Sequence, residues 1–239
     1  MMMSAGTDKG QVRNVNEDSY YISDNEITYL VVADGMGGHK GGQTASKMAI
    51  ENVKKYLSES RMKNCNNVRE CLLQCAEQAN LSIYKKASLD DELAGMGTTL
   101  VIFYKKDNTA YVANVGDSRC YLIRNNTIEQ ITKDHSIVQE LFDNGKIERS
   151  DMRTHPNKNI ITRAIGTNFS VKCDIFEFLV EAGDGIILCS DGLSNMLDDK
   201  EILNVYMNAS DTDECVKELI EKANKAGGTD NITVIAAKL

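Results

Sequence analysis

The chain has 239 residues, a size that fits one domain with a large core rather than two domains. It is 26% charged with a formal charge of −8, which argues against nucleic acid and anionic membrane as partners, so any phosphorylated ligand must be held by local groups. Seven Cys without C-x-x-C spacing point to reduced thiols and a cytoplasmic protein. No apolar run reaches the ~18 residues needed to span a bilayer, and the N-terminus M-M-M-S-A-G lacks the basic region and apolar stretch of a signal peptide.

In chain order, a strand-like run over 27–33 ends in V-V-A-D-G-M-G-G-H (31–39). Helical patterns follow over 43–57 and 68–86; in the second, Leu72, Cys75, Ala76, Ala79 and Ile83 recur at helical spacing. Strands over 99–104, 110–114 and 120–124 are joined by Lys106-Asp107-Asn108 and Asn125-Asn126, residue types that tolerate tight turns. A helix over 136–144 leads into a polar, irregular stretch at 142–161. Strands over 176–180 and 185–189, helices over 199–207 and 212–226, and a last strand over 232–237 complete the pattern. Successive hairpins predict antiparallel sheets, and strands apolar throughout, such as Tyr29-Leu30-Val31-Val32-Ala33, must be buried on both faces. The expected fold is therefore α+β: a four-layer α/β/β/α sandwich of two mainly antiparallel sheets flanked by helices, one domain over 1–239.

Four aspartates stand where apolar runs break into small-residue loops: Asp34 in V-V-A-D-G-M-G-G-H, Asp117 in A-N-V-G-D-S-R, Asp191 in I-L-C-S-D-G-L and Asp230 in G-G-T-D-N-I-T-V-I. A lone Asp-Gly is an ordinary turn. Four carboxylates at strand ends are costly to bury without a partner, and the partner they call for is a hard divalent cation. Oxygen-only ligation favours Mg²⁺ or Mn²⁺ over zinc, since no Cys/His cluster has zinc spacing. The bend Gly35, Gly37, Gly38 lets backbone approach an ion, making the Gly35 carbonyl a neutral ligand. A carboxylate shared by two ions about 3.5–4 Å apart would activate a bridging water, and phosphoryl transfer suits such a centre.

G-Q-V-R-N-V-N-E-D (10–18) adds Arg13, whose planar fork matches two phosphate oxygens, and the acids Glu17 and Asp18, within reach of metal-bound waters. His39, five residues after Asp34, is placed to protonate a leaving alkoxide. His135 is expected to order the helix beginning at Ser136, while His155 lies in the irregular stretch.

Eight ordered strings, R-N-V-N-E-D, V-A-D-G-M-G-G-H, G-M-G-T-T, V-G-D-S-R, D-H-S, I-T-R-A-I-G, S-D-G-L and D-N-I-T-V, resemble the metal-dependent protein phosphatases of the protein phosphatase 2C (PPM) type. The likeness spans Gly10 to Ile235, and H-P-N-K-N-I-I-T-R-A-I-G (155–166) is similar to bacterial members that reverse Hanks-type serine/threonine kinase phosphorylation. It implies the sandwich fold with a binuclear Mg²⁺/Mn²⁺ centre in a cleft between the sheets at one end. Asp34, the Gly35 carbonyl, Asp191 and Asp230 would be ligands of the two core ions. Glu17 would act through metal-bound water, and a third, weaker ion would lie near Asp117 with Asp191 contributing. Arg13 would bind phosphate, His39 would be the general acid, and 142–161 would be a flap that touches substrate. The activity implied is hydrolysis of phosphoserine and phosphothreonine on proteins by direct attack of a metal-bridged hydroxide. The partners would be phosphorylated proteins, including a cognate kinase, and the enzyme a monomer. Two other readings compete. An aspartyl-phosphate hydrolase of the haloacid-dehalogenase type requires a D-x-D pair, but Val32 stands two residues before Asp34. A phosphoprotein-binding pseudophosphatase would not need the full set of Arg13, His39 and four Asp.

Overall fold

The computed structural model describes residues 2–23, 27–37, 41–58, 62, 65 and 67–239. In chain order the first strands are β1 (Met2–Asp8), β2 (Ser19–Ile22), β3 (Thr28–Ala33), β4 (Gly35–Met36), β5 (Gly97–Thr98) and β6 (Leu100–Lys106). They are followed by β7 (Thr109–Val115), β8 (Arg119–Arg124), β9 (Thr127–Gln130), β10 (Asp174–Leu179), β11 (Gly185–Cys189) and β12 (Ile232–Lys238). The helices are α1 (Gly41–Tyr56), α2 (Val68–Leu89), α3 (Ile137–Asp143), α4 (Asp191–Ser194), α5 (Asp199–Asn208) and α6 (Thr212–Lys225). One sheet has the order β10-β7-β6-β3-β2, the other β1-β12-β11-β8-β9, and β4 pairs with β5 alone. Every pairing among these strands is antiparallel.

Period-two alternation sorts the buried strand residues into layers. Leu30 and Val32 of β3, Val101 and Phe103 of β6, Leu188 of β11 and Ile235 of β12 share the core between the two sheets. Their strand neighbours Tyr29, Val31 and Ala33 face outward against Ala45, Ala49 and Val53 of α1 and Leu72 and Ala76 of α2. On the other sheet, Ile187, Cys189, Ile232 and Val234 face Ile202 and Val205 of α5 and Cys215, Val216 and Leu219 of α6. The expected four-layer sandwich is the observed one. Side chains of Asn67, Ser136, Asp198 and Asp211 accept backbone N–H groups at the starts of α2, α3, α5 and α6, which fixes where those helices begin. Asp107, Asn125 and Asn126 adopt φ of 53°, 51° and 58°, the left-handed conformation that the hairpins β6–β7 and β8–β9 need.

Besides the two-residue β4 and β5, three strands were not expected from the sequence: β1, β2 and β9. All three lie at sheet edges, and none is buried throughout, so no continuous apolar run marks them. The expectation that all seven thiols are reduced is corrected at one pair: Cys65 and Cys71 form a disulfide, with Cα atoms 6.8 Å apart. Cys71 stands in the first turn of α2, so a separation of six residues suffices to bring its sulfur to Cys65. Cys75, Cys120, Cys189 and Cys215 are buried and outside any disulfide, the first three in the apolar patterns read from the sequence.

Asp184, 3% exposed, fastens the β10–β11 turn to β8. Arg124 donates to both its oxygens at 2.8 and 2.6 Å, and its Oδ2 also accepts the Glu181 N–H at 2.7 Å. The hydrogen bonds from Arg124 hold the Asp184 carboxyl below its ordinary pKa, with burial opposing. A depressed folded pKa adds stability that is complete above the ordinary carboxylate range near pH 4 and is lost as pH falls through the folded value. Asp184→Asn should therefore lose about 2 kcal/mol in denaturant unfolding at pH 7. The difference from wild type should shrink steadily below about pH 4.

Candidate metal centre

The site begins where the inward face of each sheet runs past its last apolar residue. In β2 and β3 the register pairs Ile22 with Leu30, Tyr20 with Val32 and Ser19 with Ala33, so the next inward positions are Asp18 and Asp34. On the opposite sheet the inward series Ile186, Leu188 of β11 continues to Ser190, and Ile235, Thr233 of β12 continues back to Asn231. Carboxylates on one sheet thus meet hydroxyl and amide groups on the other at one end of the sandwich. Ser190 and Thr233 each donate to Asp18 Oδ2 at 2.7 Å, and Ser190 Oγ accepts the Thr233 N–H at 3.0 Å. Asp18 is therefore a bridge between sheets rather than a solvent-facing acid.

The Asp34 backbone is clamped on both sides. Its N–H donates to Thr99 Oγ1 at 2.9 Å, and its carbonyl accepts Thr99 N–H at 2.8 Å and the Thr98 hydroxyl at 2.9 Å. These are the two threonines of G-M-G-T-T. At Gly35 a Cβ would collide with the Gly42 carbonyl, and at Gly42 it would come within 2.8 Å of Glu17 Oε1. Glycine at both positions lets the first turn of α1 close over the loop. Gly192 serves the same end, since a Cβ there would meet the Asn231 carbonyl. Asn231 gathers the N-terminal segment: its Oδ1 accepts the Glu17 N–H at 2.8 Å, and its amide donates to the Lys9 and Val15 carbonyls at 2.9 and 3.0 Å.

The expected site residues come together in this region, apart from His39, which lies outside the described residues. Arg13 donates to Asp230 Oδ2 at 2.8 Å with its own side chain 50% exposed. Asn195 donates to Asp191 Oδ2 at 2.9 Å. Burial is the largest cause raising the Asp34 pKa well above normal, followed by repulsion from Asp18, Asp191, Asp117 and Asp230. Burial likewise pushes Asp18 up to about 7 against its hydrogen bonds from Thr233 and Ser190, and Asp191 up to about 6, with Asp230 adding repulsion. Asp117 is raised by burial and then by Asp191. Its loop turns at Gly116, φ +107°, where the N–H donates to His135 Nδ1 at 3.0 Å. His135 Nε2 lies 3.2 Å from Asp174 Oδ2, so the ring acts between Gly116 and Asp174. The start of α3 is capped instead by Ser136 itself, whose Oγ accepts the Gln139 N–H.

Among the described residues no group of three Asp, Glu, His or Cys is posed as the ligand set of one ion. Asp230 is engaged with Arg13 and Asp191 with Asn195. Two observations show that dications fit. Asp18 Oδ1 and Asp191 Oδ1 are buried without a hydrogen-bond partner, a costly state for an acid. The groups around them are oxygen donors, suited to Mg²⁺ or Mn²⁺. The sequence reading missed Ser190, Thr233, Asn231 and Asn195. The signal for the first three was period-two parity carried past the ends of β11 and β12.

The family model described as Protein phosphatase 2C matches residues 5–232. The chain is 39% identical over 232 residues to the serine/threonine phosphatase stp of Listeria welshimeri, covering 96% of this chain and 92% of that one. The crystal structure of the Mycobacterium tuberculosis serine/threonine phosphatase PstP/Ppp superposes with a TM-score of 0.92 at 35% identity, over 99% of this chain and 97% of the other. A second solved structure, the catalytic domain of the serine/threonine protein phosphatase PstP in complex with two manganese ions, gives a TM-score of 0.88 at 34% identity over 99% and 96%. With its sandwich, its oxygen-lined cleft and these likenesses, the chain belongs to the protein phosphatase 2C family of metal-dependent serine/threonine protein phosphatases and is of the bacterial type.

Proposed function

We propose that the enzyme, acting as one catalytic domain over 1–239, hydrolyses phosphoserine and phosphothreonine on proteins by passing the phosphoryl group directly to water, with no phosphorylated enzyme residue. The observation that carries this reading is the carboxylate cluster at the mouth of the sandwich, with the orphaned Asp18 and Asp191 oxygens inside it. Asp34, the Gly35 carbonyl, Asp191 and Asp230 would hold two Mg²⁺ or Mn²⁺ ions, with Asp117 and Asp191 at a third. When bound, such ions neutralise phosphoryl charge and make water acidic enough to attack near neutral pH. The chain's own groups do the positioning. Glu17, tied to Asn231 through its backbone, would orient water at the rim of the cluster. Arg13, which donates to Asp230, would offer its guanidinium fork to two phosphate oxygens. His39 would give its proton to the serine or threonine oxygen as the P–O bond breaks, a role supported by its place five residues beyond Asp34. The 142–161 stretch would be the flap over bound substrate. The resemblance to bacterial phosphatases supports a cytoplasmic monomer opposing a Hanks-type kinase.

Hydrolysis of p-nitrophenyl phosphate should require added Mn²⁺ or Mg²⁺ and stop with EDTA; undiminished turnover after exhaustive chelation contradicts the proposal. His39→Ala should slow phosphoserine peptides by about 10²–10⁴-fold and aryl phosphates far less, because the aryl leaving group needs little protonation. Equal losses on both substrates would remove His39 from the acid role.

Relief of repulsion gives a readout free of turnover. Asp34→Asn should melt at a higher temperature than wild type when both are metal-free at pH 8, since it removes one of the crowded buried charges. Wild type should gain about 2.7 kcal/mol of stability at Mn²⁺ 100-fold above its Kd, and Asp34→Asn should gain little. A metal-free variant less stable than wild type would contradict the repulsion.

A further inference from the structure

On the Asp117 side the cluster opens into a cavity of about 840 Å³, within the size range of ligand-binding pockets. It extends from Asp117 and Asp191 to the 149–158 part of the flap and the start of α5. Apart from Asp117 and Asp191, which belong to the cluster itself, its charged groups form two sets. Nearest the cluster, Arg119 donates to both oxygens of Asp134 at 2.7–3.1 Å and Lys133 pairs with Asp143 at 2.7 Å, so these four cancel. Farther out, the lining carries Arg149, Arg153, Lys158 and Lys200 against Asp198 and Asp199. Asp198 is occupied as the cap of α5, accepting the Glu201 N–H at 2.8 Å. Among the described residues Asp199 pairs with Arg149 alone, at 4.0 Å, and that Arg side chain is 76% exposed. Among the described residues Arg153, Lys158 and Lys200 make no ion pair.

In this outer part of the cavity four cations therefore face two acids, in a chain whose total charge is −8. Surface Lys and Arg are ordinarily solvated and need no partner. Here they line one cavity continuous with the catalytic cluster, and an extended peptide advances about 3.3–3.6 Å per residue, so residues flanking a phosphoryl group held at the cluster pass through it. Carboxylates are the complementary groups for a wall of guanidinium and ammonium ions.

We propose that this cavity reads the acidic flank of the substrate, so that phosphoserine or phosphothreonine sites with neighbouring Asp or Glu are the preferred class. The proposal rests on the phosphatase reading of the adjoining cluster. The flap and α5 supply the specificity; the cluster supplies the chemistry.

The test measures kcat/KM, with Mn²⁺ present, on three phosphothreonine peptides whose flanking residues are Glu, Ala or Lys, and on a fourth carrying a second phosphothreonine. The same series is run on wild type, on R153E/K158E/K200E and on R153A/K158A/K200A, with p-nitrophenyl phosphate turnover normalising each protein. Wild type should favour the Glu peptide over the Lys peptide by about 10-fold at low salt, and the ratio should fall as ionic strength rises. Alanine substitution should shrink the ratio and charge reversal should invert it. Equal kcat/KM for Glu and Lys peptides in wild type, or an unchanged ratio in both variants, overturns the proposal. A gain confined to the doubly phosphorylated peptide also overturns it, because the cavity would then read phosphate rather than carboxylate. Absence of turnover on every substrate, p-nitrophenyl phosphate included, would instead remove the phosphatase reading beneath it.

Discussion

Negative charge crowded into the mouth of an otherwise apolar sandwich is the constraint on which this structure depends. The inner faces of the two sheets carry largely apolar side chains and give way to acids just before β2 begins and just after β3 ends, at Asp18 and Asp34. Asp191, Asp230 and Asp117 come from other loops to the same place, and burial with mutual repulsion raises the pKa of Asp34, the acid at its centre. A fold that places these groups together pays in repulsion and desolvation, which protonation or bound multivalent cations relieve. The binding energy of such cations is then, in part, folding energy.

The surrounding hydrogen bonds hold the acids in place despite that repulsion. Ser190 and Thr233 reach across from the second sheet to Asp18, and Asn231 fastens the segment bearing Glu17 to the end of β12. Thr98 and Thr99 fix the backbone of Asp34, while His135 fixes Gly116 beside Asp117. Few of these groups need touch a substrate. They set where the carboxylates stand, which is the condition for a cluster that needs no rearrangement of backbone when charge arrives.

Much of this was legible in the sequence, and the gaps have physical causes. The strands β3, β11 and β12 announce themselves because both faces are buried, leaving uninterrupted apolar runs. The Asp at the end of each run marks the cluster. Edge strands β1, β2 and β9 carry no such run, so their existence and facing were hidden. Without β2 the parity of Asp18 was hidden, and with it the bridge from Asp18 to Ser190 and Thr233 on the other sheet. His135 was assigned to the start of α3 because it precedes Ser136, whereas its partners Gly116 and Asp174 are 19 and 39 residues away in the chain. The Cys65–Cys71 bridge depends on where α2 begins, which cysteine spacing alone does not reveal.

The central claim, that the acids at the sandwich mouth exist to hold paired dications, is tested most directly by anomalous diffraction at the manganese edge from crystals equilibrated with Mn²⁺. Two peaks about 3.5–4 Å apart, lying among the carboxylates of Asp34, Asp191 and Asp230, are the predicted result. Crystals of active enzyme at saturating Mn²⁺ with no anomalous density among those three side chains would contradict it.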